Sequence, residues 1–395
     1  MSISLRSPAD SHQFWSAVFA MSLAAFALVA SEFMPVSLLT PIATDLGISE
    51  GQAGQAISIS GAFALLTSLF IATISEKIER KVLLLSLTLL MIASGTIVTL
   101  APNYLVLMIG RAFIGIAIGG FWSLSAATAM QLVASVHVPR ALAILNGGNA
   151  LASVLAAPIG SFLGGIIGWR GAFFCVVPVA AIALVWMLTS LPQMPQNDKS
   201  SKVSVLKLIK SPAIAVGMLA VSVFFMGQFT LFTYLRPFLE TVTKVNVSTL
   251  SLMLFIIGAA GFIGTIFIGR FINKGIYQTL ATIPALMAII AIVLILSGES
   301  LVSTTLLLGL WGLFATAAPV GWWTWMAKSL PNNAEAGGGL MVALIQLSIT
   351  LGATVGGVLF DSNGYQVTFG TSAILLLLAS GLAIFTAILT KNSKG

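Results

Sequence analysis

Charge is what this chain has least of. Only 7% of its 395 residues are Asp, Glu, Lys or Arg, while 58% are hydrophobic. Soluble domains carry about 25% charged residues, so a chain this poor in charge cannot clothe a water-facing surface and belongs in a bilayer. Cysteine and histidine are nearly missing too: Cys175, His12 and His137 are the whole supply. That excludes a disulfide framework and a thiolate or imidazole metal centre, and Cys175, inside an apolar run, reads as packing. Paired carboxylates and a strand-borne phosphate loop are absent as well, which argues against an enzyme. A channel would need rings of like charge or carbonyls supplied by symmetry. No cofactor and no metal are expected.

What is present is hydrophobic length. Apolar windows of membrane-crossing length fall at roughly 14 to 40, 52 to 74, 82 to 101, 104 to 131, 139 to 165, 171 to 191, 212 to 238, 247 to 269, 277 to 297, 301 to 327, 334 to 360 and 367 to 390. About 20 residues suffice for an α-helix to cross ~30 Å of hydrocarbon, so the expectation is an all-α membrane protein of twelve helices. The first window is long, contains a charge and lacks a small-residue cleavage site, so it is expected to stay as a span. With an even number of spans, both ends lie on one side. On that topology 14 of the 18 Lys and Arg fall on the side of the termini, Arg170, Arg236 and Lys244 fall on the other, and Arg111 lies within the membrane. The bias makes the terminal side cytoplasmic. It also turns the net charge of +7 into a topological signal instead of a nucleic-acid footprint.

The chain repeats. The segment Pro192 to Ser211 is rich in Lys, Ser, Pro and Gln and divides residues 1–191 from 212–395; it reads as a cytoplasmic linker at 192–211. Across it, Phe70-Ile71-Ala72-Thr73-Ile74 returns as Phe262-Ile263-Gly264-Thr265-Ile266, and the stretch from Ile159 to Phe173 is answered by Val355 to Phe369, with Gly160, Leu163, Gly168 and Phe173 meeting identical residues. Two parallel six-helix repeats are the architecture of a transporter with a central site at the repeat interface. Matching Pro35 with Pro237 would set Tyr234 opposite Glu32.

Glu32 is the only ionisable group between Phe14 and Thr40. A charge at membrane depth costs at least ~2.5 kcal/mol on insertion scales, so it marks function by default. Arg111, seven residues into the fourth span, comes to similar depth. Either the two form a static bridge, or a change of conformation joins and parts them and so loads and unloads a proton. Glycines at spacings of four, Gly115 and Gly119 with Arg111, and Gly160 and Gly164 after Pro158, let helices approach closely, for packing or for sliding. Uncharged polar and aromatic residues inside the spans supply a candidate solute site: Trp122, Asn146, Asn149, Gln228, Thr230, Tyr234, Trp323 and Gln346. Amides at this depth bond either to a neighbouring helix or to a ligand. With one acid and one base available, that ligand is expected to be polar and uncharged, with indoles stacking on a flat part of it. Trp322 and Trp325 read as interfacial.

These motifs resemble the major facilitator superfamily and, within it, the twelve-helix drug:proton antiporters. The loop ATISEKIERKVLL from Ala72 resembles that family's acidic and basic loop, with Glu76 at the acidic position and Arg80 and Lys81 at the basic ones, departing from it at Glu79. Arg111 with Gly115 and Gly119 is similar to the fourth-helix motif implicated in proton coupling, and Pro158, Gly160 and Gly164 to the fifth-helix antiporter motif. The stretches EFMPVSLLTPIATDLGISEGQAGQ from Glu32, GGFWSLSA from Gly119, GQFTLFTYLRP from Gly227 and PVGWWTWMAKSL from Pro319 resemble the purine-ribonucleoside efflux pumps of enteric bacteria, with sugar and arabinose efflux transporters as relatives. The resemblance implies a monomeric antiporter of the bacterial inner membrane, driven by the proton gradient and exporting purine ribonucleosides and analogues, with resistance to such drugs as a consequence. Sugar or broad multidrug export is the neighbouring possibility.

Overall fold

The computed structural model describes residues 8–75, 78–194, 210–330 and 334–392. Among them ten helices are long and apolar enough to cross a membrane. Two of the ten, Arg140–Ser190 and Gly337–Lys391, run to 51 and 55 residues. At 1.5 Å per residue each would exceed ~75 Å, more than twice the hydrocarbon thickness. Each is therefore two crossings, and the chain breaks between them at a single residue. Gly168 has φ 75° and ψ 165°, and Gly364 has φ 77° and ψ −175°. That region of backbone space is open essentially to glycine alone. These two glycines are the ones that the internal repeat aligns, so the repeat preserves a backbone conformation as well as a residue. The protein is thus a multi-pass membrane protein, with twelve crossings among the described residues.

In chain order the helices are Pro8–Leu46, Glu50–Ser75, Arg80–Thr99, Tyr104–Gln131, a fifth within Val138–Phe174 that breaks at Gly168, a sixth continuing through Val176–Ser190, a seventh in two pieces, Pro212–Phe232 and Leu235–Thr241, then Val247–Lys274, Ile276–Ser297, Leu301–Ser329, and the eleventh and twelfth within Ala334–Asn392. Asn103, Asn246 and Ser300 start the fourth, eighth and tenth by accepting a hydrogen bond from the main-chain N–H three residues on, the usual N-cap. Of the apolar clusters the two largest are drawn, one from residues 17–194 and the other almost wholly from 218–383, and a smaller one packs Tyr234 among residues of the N-terminal half. Trp322 and Trp325 lie inside the second, 1% and 2% exposed and edge-to-face, so they are core residues and the interfacial reading is corrected. Cys175 is exposed, not packed.

The two halves repeat their contacts as well as their residues. A Cβ on Gly115 of the fourth helix would strike the Ser60 carbonyl of the second; adding 197 to both numbers gives Gly312 of the tenth helix, which meets the Ile257 carbonyl of the eighth in the same way. In the first and fifth helices Gly160 approaches Ser37, and in the seventh and eleventh Gly356 approaches Tyr234. Tyr234 therefore answers Ser37. The proline match that sets it opposite Glu32 is out of register. Most of the linker, 195–209, lies outside the described residues.

Gly364→Ala is expected to lower stability by about 1–3 kcal/mol through backbone strain alone, since a Cβ there would have its nearest neighbour at 3.4 Å. Thermal melting in detergent reads this directly. Gly370→Ala, at a position with nothing within 4 Å, is the control and is expected to melt like the parent.

Candidate functional site

Arg111 is fully buried, and its guanidinium is spent on backbone. Nε donates to the Ala56 carbonyl at 2.9 Å, one terminal nitrogen to the Ser31 carbonyl at 2.7 Å, and the other to the Glu32 carbonyl and the Ser60 hydroxyl, both at 3.1 Å. The fourth helix is held to the first and second at one point. Glu32 is 6% exposed, and its Oε1 accepts from Nε2 of Gln346 in the eleventh helix at 3.4 Å. Arg111 and the Glu32 carboxylate form no ion pair among the described residues. Of the two expectations for this pair the static bridge is corrected: equal depth brings the residues together, but the carboxylate leaves the first helix toward the other half of the molecule while Arg111 grips main chain behind it.

From the level of Glu32 to the end opposite the termini, the halves are joined. Phe33 stacks on Phe229 with centroids 5.9 Å apart. Between the second and eleventh helices the Ser58 hydroxyl donates to the Thr350 carbonyl and the Thr350 hydroxyl reaches the Ser58 carbonyl, both at 3.2 Å, and the Thr354 hydroxyl lies 2.9 Å from Ser58 Oγ and 3.2 Å from Gln55 Oε1. The Asp361 carboxylate closes this ladder by capping the start of the second helix, accepting from Ser49 Oγ at 2.5 Å and from the Gly51 N–H at 2.9 Å. On the other flank the fifth and eighth helices meet at two glycines, Gly258 against the Val154 main chain and Gly165 against the apolar Val247 side chain. Arg236 adds a tie from the seventh helix: it is 3% exposed, pairs with Glu240 at 2.8 Å and donates to the Ser37 carbonyl. It lies near the end of the seventh apolar window, 212 to 238, and is buried against the first helix instead of standing free in water. Sequence alone does not single out Ser58, Thr350, Thr354 and Asp361, although Thr350 and Thr354 share a helix face.

The expected solute residues divide. Tyr234 is buried in the closed end, its hydroxyl donating to the Ala353 carbonyl at 2.7 Å and its ring stacked on Phe360. Thr230 is buried and bonds the Met226 carbonyl of its own helix at 2.8 Å. Toward the terminal end, Trp122 is half-buried beside Val29, Ala30, Ala152 and Ala156. Asn149 is half-buried in the same stretch of the fifth helix, Asn146 is exposed and bonds the Leu142 carbonyl, and Trp323 is 38% exposed. Gln228 and Gln346 each keep a buried Oε1 without a partner among the described residues.

Gly119 packs on the Ala64 carbonyl of the second helix, and Gly160 and Gly164 pack on Ser37 and Leu38 of the first, with Pro158 inside the fifth helix. Lys81 donates to the Leu191 carbonyl at 2.6 Å, Glu79 accepts from the Met194 N–H at 3.1 Å, and Arg80 is 9% exposed. Glu76 lies outside the described residues.

The sequence profile of the Major Facilitator Superfamily matches residues 21–348. The chain belongs to this family. It is 60% identical over 377 residues to a protein of Pseudomonas aeruginosa named transcription regulatory protein OpdE, covering 94% of each chain. It is 40% identical over 366 residues to the purine ribonucleoside efflux pump NepI of Salmonella enteritidis, covering 93% of this chain and 92% of the pump. Its fold matches a point mutant of the nucleoside transporter NupG with a TM-score of 0.76 at 12% identity, over 94% of this chain and 98% of that one. It also matches the human organic anion transporter MFSD10 with a TM-score of 0.68 at 19% identity, over 96% and 100%. The family fixes the class as transporter.

Removing a helix N-cap costs ~1 kcal/mol, so Asp361→Ala is expected to raise the opening of this end about fivefold. In a Cys175→Ser background, a membrane-impermeant maleimide applied from that end should label Ser58→Cys faster by this factor. Arg111→Lys retains charge but cannot meet four acceptors at once, and is expected to cost ~2 kcal/mol or more in thermal stability.

Proposed function

We propose that the protein is a proton-coupled antiporter that exports purine ribonucleosides and their analogues across the bacterial inner membrane by alternating access, the halves 1–191 and 212–395 rocking about a central site. The observation that carries this reading is Glu32: a buried carboxylate at the junction of the halves, hydrogen-bonded to a neutral amide of the other half and free of an ion pair among the described residues. A carboxyl so placed can gain or lose its proton without dismantling a salt bridge. In this reading both termini are cytoplasmic, the joined end faces outward, and the conformation admits solute from the cytoplasm. Trp122, Asn146, Asn149 and Trp323 then flank the entry side, where amides and indoles suit a flat, uncharged, polar solute. The 40% identical efflux pump supports the nucleoside assignment.

The energies are compatible. Interhelical hydrogen bonds in a membrane average about 0.6 kcal/mol, so the ladder of Ser58, Thr350 and Thr354 amounts to ~2 kcal/mol. One proton crossing ~150 mV supplies about 3.5 kcal/mol. The joined end is stable enough to hold, and the energy of one proton per cycle exceeds what holds it. The protein acts as a monomer in lipid and needs no cofactor, the gradient being the energy source.

A second reading comes from the name of the 60% identical relative. An exporter that changes the internal concentration of a signalling solute changes transcription without touching DNA. On that account a transport-dead variant loses the transcriptional effect along with transport.

Glu32→Gln is expected to abolish pH-driven inosine accumulation in everted vesicles while inosine binding persists with less pH dependence. Uphill accumulation at the parent rate in this variant would refute the proton role. Movement of a lipophilic cation or arabinose, with none of inosine, would refute the nucleoside role.

A further inference from the structure

We propose that Gln346 is a positioning residue through which the C-terminal half senses the protonation state of Glu32, and not a reader of the transported solute. The inference rests on the proton role of Glu32 proposed above.

Gln346 is the residue of the eleventh helix that meets the Glu32 carboxylate, through Nε2 at 3.4 Å, and its own Oε1 is buried with no partner among the described residues. Its main-chain carbonyl accepts from the Thr350 hydroxyl at 2.9 Å, the same hydroxyl that reaches the Ser58 carbonyl at 3.2 Å. Gln346 is thus the first rung of the ladder that joins the halves. Opposite it stands Gly61 of the second helix, where even a Cβ would lie 3.6 Å from Oε1. Glycine there spares the amide and the Thr350 hydroxyl a side-chain neighbour.

The chemistry follows from counting donors. An ionised carboxylate can only accept, so it engages Nε2 and leaves Oε1 orphaned. A protonated carboxyl brings an O–H donor beside its carbonyl acceptor, and a tilt of the amide lets Oε1 accept from the first while Nε2 goes on donating to the second. The orphan is then satisfied. The proton comes from water on the side to which the site is open and returns to water after the halves have rocked. The joined end is therefore best satisfied when Glu32 carries its proton and less well satisfied when it does not. That sign suits an exporter: the protonated carrier resets with the outer end closed, and the ionised carrier, once loaded with solute, opens outward.

Charged groups facing the first helix around Glu32 are Arg111 from the fourth helix, committed to main-chain carbonyls, and Arg236 with Glu240 from the seventh, on the Ser37 carbonyl. At that level the second helix offers Ala56 and Ser60 and the fifth Ala152 and Ala156, and the sixth carries no Asp, Glu, His, Lys or Arg. On the third helix, Arg80 and Lys81 stand at its start, on the terminal side.

The test uses Gln346→Met, which keeps length and removes both amide functions, with Gln346→Leu as a second variant should the first fail to fold. Full-length protein carrying Ser58→Cys and Cys175→Ser is reconstituted in liposomes and labelled with an impermeant maleimide in mildly acidic and mildly alkaline buffer. Labelling, divided at each pH by the rate for the same protein unfolded in detergent so that thiol ionisation cancels, is expected to slow on acidification in the otherwise native chain, and both Gln346 variants are expected to lose that dependence while binding inosine within about twofold of the parent. Retained pH dependence together with inosine binding weakened about tenfold or more would overturn the proposal and return Gln346 to the solute site. Failure of the underlying reading looks different: Glu32→Gln would then keep both proton-driven accumulation and pH-dependent labelling.

Discussion

A guanidinium offers five N–H donors and cannot shed its charge, and at membrane depth there is no bulk water to meet them. Arg111 solves this by taking four acceptors from two neighbouring helices. Two of those acceptors are the consecutive carbonyls of Ser31 and Glu32. The grip fixes the first helix in depth and in rotation, and the rotation turns the carboxylate of Glu32 away from the cation and toward Gln346. The close approach of Gly115 to Ser60, one turn along the fourth helix, brings the second helix within reach of the same guanidinium. Position of the acid, separation of charge and contact between halves all descend from satisfying one buried base.

Much of this is legible in the sequence, and what is not has a common cause. Hydropathy and length give depth along a helix axis, so the twelve crossings and the equal level of Glu32 and Arg111 can be read directly, and the repeat aligns Gly168 with Gly364 before their shared conformation is seen. Depth does not give the direction in which a side chain leaves the helix, nor which neighbour it meets. That is why Glu32 and Arg111 look like a pair, and why the sequence does not show that Tyr234 bonds the Ala353 carbonyl or that Gln346 meets the Glu32 carboxylate. Arg236 misleads for a different reason. A cation near the end of an apolar window reads as emerging into water, but the break of the seventh helix at Thr233 and Tyr234 folds its second piece against the first helix and carries Arg236 inward.

The repeat also shows how two similar halves come to do different work. One glycine contact that sets helix spacing, Gly115 on Ser60, recurs at an offset of 197 as Gly312 on Ile257, each on a carbonyl, which any residue can supply, so it survives divergence of the sequence. Glu32, in contrast, falls at the level of Phe229 when the same offset is applied to the first helix. The aromatic ring that stands there stacks on Phe33 and makes the C-terminal half apolar where the N-terminal half is ionisable.

The closed end is built unevenly as well. Asp361 on Gly51 and Ser49 holds one flank by a carboxylate at a helix N-terminus, and Val247 on Gly165 holds the equivalent flank by apolar contact. An exposed charge interaction weakens with ionic strength, whereas apolar burial weakens on cooling and strengthens in sulfate. The joined end is therefore held by two materials with different responses to their surroundings: brine loosens one side, cold the other.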